Sequence, residues 1–147
     1  MTSDELKGHI DVIEESYEFF LAYAAQGVSG GSGISGELSD YLRRTHETLG
    51  ALEGGLSDLT GVPDPDGGAF GAMGEVMQRD ARDTRAAVGL TMAQSAISSQ
   101  LIDNLNASIH LRALLTDVFL LDEILRVLGE EAMAAGQEET SIEEPSG

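Results

Sequence analysis

This chain of 147 residues has no cysteine and no tryptophan, and its one lysine is Lys7. Without cysteine there is no disulfide framework, no thiolate metal site and no cysteine nucleophile. Aromatic residues make up only 5% of the chain, so an interior must be assembled from Leu, Ile, Val, Ala and Met. Three prolines leave long stretches free to stay helical. The N-terminus MTSDELKGHI has no basic region followed by an apolar run, so no secretory leader is expected. The most apolar stretch, Leu111–Leu128, is interrupted by Arg112, Asp117, Asp122 and Glu123, and no membrane span is expected. A cytoplasmic location follows as the expectation.

Basic residues are as scarce as acidic ones are abundant. Asp and Glu total 26 against 8 Lys and Arg, a formal net charge of −18. Such a surface repels phosphate backbones and anionic lipid heads, which argues against direct nucleic-acid binding. A basic protein surface, a cation, or no electrostatic partner at all remain. An acidic surface with almost no lysine also fits a solubility role, as in a salt-adapted proteome.

What is present is helical periodicity. Thr2 and Glu5 have the spacing of a capping box. Leu6, Ile10, Ile13, Tyr17, Phe20 and Ala24 then recur in alternating steps of four and three, a heptad seam. Phe19, Leu21 and Tyr23 widen it, and an aromatic stripe at this spacing reads first as core and second as a cofactor slot. Gly27 ends this helix and GVSGGSGISG links it to the next. A second helix is expected from Gly36 to Leu59, with the seam Leu38, Leu42, Thr45, Leu49, Leu52, Leu56 and Leu59. Its glycines, Gly50, Gly54 and Gly55, either admit a close neighbour or lie on the surface. The breaker GVPDPDGG at 61–68 separates two helical hairpins. A third helix starts near Ala69 and carries Phe70, Met73, Met77, Ala81, Thr84 and Val88 on one face; Asp80, Arg82, Asp83 and Arg85 read as its solvated side.

No proline or glycine falls between Leu90 and Gly129. One helix running from Ala69 to Ala135 would be about 100 Å long. A turn near Gln94–Ser99 is therefore expected, with Ser95, Ser98 or Ser99 as the next N-cap. The fourth helix, Ser99 to Ala135, is apolar nearly all round over Leu111–Leu128, and so is buried on most of its circumference by its own fold or by a second chain. The expected fold is all-α: an antiparallel four-helix bundle spanning 1–136 as one domain, with a disordered acidic tail at 137–147.

Polar residues inside the fourth helix form the candidate site. On one continuous helix, Asp103, Asn106, His110 and Asp117 share an arc of about 60°. Asn106 and His110, four apart, are expected to hydrogen-bond. They make either a layer that fixes register or a small polar pocket or metal site. The histidines His9, His46 and His110 lie on three helices, and the residues three before them are Leu6, Arg43 and Ala107, so the Glu-x-x-His unit of di-iron bundles is absent. Phosphate-binding glycine loops and the Gly-x-Ser-x-Gly elbow are absent as well. No cofactor and no catalytic set is expected. The sequence favours a non-catalytic protein acting through self-association or as an adaptor, with Leu111, Leu114, Leu115, Val118, Leu121, Ile124, Leu125 and Leu128 as its interface. The competing reading is an enzyme or sensor with a core ligand site around His110.

Overall fold

A computed structural model describes residues 1–29, 36–56, 59–60, 62 and 68–143, with side-chain surroundings as far as Gln137. The described residues are helical in five segments: α1 (Ser3–Ala25), α2 (Gly36–Leu52), α3 (Ala69–Met92), α4 (Ser99–Ala107) and α5 (Ile109–Glu143). Most of the glycine-rich link, at 30–35, most of the breaker, at 61 and 63–67, and the end of the tail, at 144–147, lie outside the described residues.

Local chemistry sets the helix ends. Thr2 caps α1: its Oγ1 accepts from the Glu5 amide at 3.1 Å while Glu5 accepts from the Thr2 amide at 3.0 Å. Residues 1–3 are further pinned to Thr60 by two backbone hydrogen bonds of 3.0 Å. Gly27 follows the C-cap in the left-handed region (φ 69°). Ser98 caps α4, its Oγ accepting from the Leu101 amide at 3.1 Å. The expected turn before Ser99 is therefore present.

Three expectations change. The second helix stops at Leu52, seven residues early, because Gly54 and Gly55 follow and Gly55 turns the chain with φ 74°. Leu56 is nevertheless buried, so the seam outlasts the helix. The fourth helix is two helices. Ser108 is extended (ψ 144°), closes α4 as its C-cap, and its Oγ accepts from the Leu111 amide at 3.3 Å. Helical backbone then continues through Glu143, so residues 137–143 of the expected disordered tail are helix.

α1 packs against α2, α4 and α5, α2 against α3, and α3 against α4 and α5. The ties between α1 and α4 are polar and buried. Tyr23 Oη donates to the Ile97 carbonyl at 2.6 Å, and Ser99 Oγ donates to the Tyr23 carbonyl at 2.6 Å. Ser99 Oγ also accepts from the Val28 amide at 2.8 Å. α1 and α2 meet through the Phe19 and Tyr41 rings, stacked with centroids 4.4 Å apart. The aromatic stripe of α1 is thus packing, with Phe20 and Tyr23 buried. The segment after α2 lies close against α3 at Gly74, where a Cβ would stand 2.6 Å from the Leu56 amide nitrogen. The interior is aliphatic, with Leu6, Leu38, Leu49, Met77, Ile102 and Leu114 fully buried.

Candidate functional site

The break at Ser108 separates Asp103 and Asn106, on α4, from His110 and Asp117, on α5. Asp103 and His110 are exposed, whereas Asn106 and Asp117 are buried at 7% and 6% exposure. The hundred-degree count holds only within a continuous helix, and the extended Ser108 interrupts it. The expected Asn106–His110 hydrogen bond does not form. The His110 backbone carbonyl is engaged instead, accepting from Thr84 Oγ1 of α3 at 2.8 Å.

Asn106 is buried with neither its amide nitrogen nor its oxygen hydrogen-bonded. Ser16 Oγ, on α1, is in the same condition. α1 and α4 pack against each other, tied by the hydrogen bond from Ser99 Oγ to the Tyr23 carbonyl, so both orphaned groups lie on one packed pair of helices. Each leaves polar valence unmet inside an aliphatic interior, at a cost of about 1–3 kcal/mol.

Asp117 meets a partner that the sequence reading had assigned to solvent. Its carboxyl lies against Asp80 of α3, which is half-buried. Burial first, and then the neighbouring Asp80 carboxylate, push the Asp117 pKa up to about 7. Asp117 Oδ2 has no hydrogen-bond donor among the neighbouring groups. Two carboxylates cannot satisfy each other, whereas a carboxylic acid and a carboxylate can, so a proton held between them supplies the missing donor. A weaker effect of the same kind acts on Glu14 of α1, where burial and then Asp122 of α5 raise the pKa.

Nothing here converges on a metal. Among the described residues no group of three or more His, Asp or Glu side chains is placed to hold one. A cleft of about 420 Å³ is lined by Glu53, Glu75, Gln78, Arg79 and Arg82. Its charges are of both signs, and Glu53 is engaged by Arg85 at 3.3 Å.

The apolar surface of α5 is a different matter. Of the eight residues expected to form an interface, Leu111, Leu114, Leu115, Val118, Leu121 and Leu125 pack inside the chain itself. Leu128 is half-buried and Ile124 is exposed. The breadth of the apolar arc nevertheless had two causes. One side of α5 faces α3 and α1. The other presents Ile109 (75% exposed), Phe119 (48%), Leu120 (51%), Val127 and Met133 (68%) to solvent. After Leu125 no described side chain of α5 is buried. Among the described residues no helix is long and apolar enough to cross a membrane. The Glu123–Arg126–Glu130 ion pairs run along this outer face, with Arg126 Nη1 2.6 Å from Glu130. Burial hid this face from sequence reasoning. A circumference apolar all round does not reveal which part the fold consumes.

Comparison with protein-family models, curated proteins and solved structures gives no match to this chain.

Proposed function

We propose that this is a non-catalytic helical protein that acts by protein–protein association through the outward face of α5. The four helical positions of a bundle are filled by α1, α2, α3 and the α4–α5 pair, and the remaining half of α5 is the part offered to a partner. The observation that carries this reading is the group of large apolar side chains on one exposed helix face. Scattered exposed hydrophobics are ordinary, but several on one helix face that continues past the last buried residue are the pattern of a docking surface. The buried polar groups support the same reading. Asp103 and His110 are exposed while Asn106 and Asp117 are buried, and no hydrogen bond joins Asn106 to His110.

A photo-reactive phenylalanine derivative placed at Leu120, in cells producing the full chain, tests this. A discrete covalent adduct is expected at 120 and none at the exposed Asp40 of α2. Equal labelling at both positions, or none at 120, overturns the proposal.

A further inference from the structure

We infer that the partner of α5 is a second copy of this chain, paired antiparallel through the outer face of α5 about a two-fold axis at the level of Leu121. The inference rests on the association reading above and names its partner.

The outer face is a seam in its own right. Ile109, Arg112, Thr116, Phe119, Glu123, Arg126, Glu130 and Met133 follow one another in alternating steps of three and four residues. That is the spacing of positions that meet across a helix pair. An isologous contact must be self-complementary, since each patch meets its own copy. In a chain of net charge −18, the charged residues of this seam are Arg112, Glu123, Arg126 and Glu130, two of each sign. A strongly basic partner gains little from a balanced face, whereas a second copy finds its complement there.

Direction follows from the charges. In a parallel, in-register pair, Arg112 would face Arg112, Glu123 would face Glu123 and Glu130 would face Glu130, all like on like. The antiparallel alignment centred on Leu121 sets Arg112 opposite Glu130 of the second copy, twice by symmetry. Arg112 is in no ion pair among the described residues, so it enters that contact free. The same alignment independently sets Ile109 opposite Met133, the two most exposed large apolar side chains of α5. Charge pairing and apolar pairing thus agree on one axis at the ends of the stripe, while its middle sets Thr116 opposite Arg126 and Phe119 opposite Glu123. The paired span is about 36 Å long at 1.5 Å per residue.

The absence of cysteine makes the test direct. Ile109→Cys and Met133→Cys are made separately and mixed under mild oxidation. Positions 109 and 133 are about 36 Å apart on one helix, far beyond disulfide reach, so any bond between them joins two molecules. A 109–133 heterodimer is expected to form in preference to either homodimer. Preferential 109–109 bonding would mean parallel pairing and overturns the inference. In sedimentation, Arg112→Glu is expected to weaken dimerisation about tenfold, because two symmetric pairs are lost, and Arg112→Glu with Glu130→Arg to restore it. Weakening by the single change without restoration by the double overturns the pairing. A native chain that sediments as a 15.5 kDa monomer at 200 µM (the top of a ~5–200 µM series spanning the weak-dimer range) also overturns it. In that case an adduct between position 120 and a different protein would leave the association reading standing.

Discussion

Asp117 of α5 and Asp80 of α3 hold their carboxyl groups against each other at the interface of the two helices, with Asp117 buried. The folded pKa of Asp117, about 7, lies above its ordinary value of 3.8. Below the ordinary value the folded and unfolded chains hold the same proton and nothing is lost. As pH rises from about 4 to about 7, the unfolded chain releases that proton while the folded chain keeps it, so stability falls through this window. Asp117→Asn removes the titration and can still donate to Asp80. The variant is expected to melt roughly 3–8 °C above the native chain at pH 7.5 and to lose most of that advantage at pH 4. Equal melting temperatures at both pH values would mean that the two carboxyls do not share a proton.

Asn106 gives a second test. Its amide is buried and unpaired, and leucine has nearly the same volume. Asn106→Leu should raise the unfolding free energy by about 1–2 kcal/mol, read as a higher urea midpoint with an unchanged slope. Ser16→Ala, which removes the unpaired hydroxyl of α1, should be neutral or mildly stabilising. A marked loss in either variant would show that these groups are satisfied by a bound water or solute.

Two glycines within helices should respond in opposite directions. Gly74→Ala drives a Cβ to 2.6 Å from the Leu56 amide nitrogen and 2.9 Å from its Cβ. The cost of displacing backbone, ~1–3 kcal/mol, outweighs the propensity gain of about 1 kcal/mol. Gly8→Ala meets nothing within 4 Å and should stabilise by about 0.5–1 kcal/mol. Thermal melts of the two variants against the native chain read both signs. A stabilising Gly74→Ala would mean that the segment at Leu56 is free to move away from α3.

Where the sequence was legible, short-range chemistry decides the structure. The capping box at Thr2 and the helix end at Gly27 are each set within a few residues and found in place, and of the three serines offered as the next cap Ser98 takes the role. The seam of α2 was legible because Leu38, Leu42, Leu49 and Leu52 point one way whatever they meet. Ser108 was harder to read. It breaks the helix with neither proline nor glycine nearby, and its sign was a serine with N-cap chemistry inside the polar run NLNASIH. That run was noticed, but taken as polar groups on a continuous helix, and the arc joining His110 to Asn106 fell with the break. Gly74 and Asp80 escaped for another reason. One faces Leu56 and the other Asp117, both distant in sequence, and single-chain periodicity carries no record of which helix becomes a neighbour.

Among the described residues the last buried side chain of α5, Leu125, stands just before the last basic residue of the chain, Arg126. Six glutamates and no base follow it. The part of the molecule that stores folding energy therefore ends almost where its most one-sided run of charge begins. Trypsin has its final cleavage site at that border. A cut there would release an acidic peptide, carry away Glu130 and Met133 of the α5 seam, and leave every side chain described as buried on the larger fragment. A single peptide bond thus divides the described buried residues from the acidic end of α5.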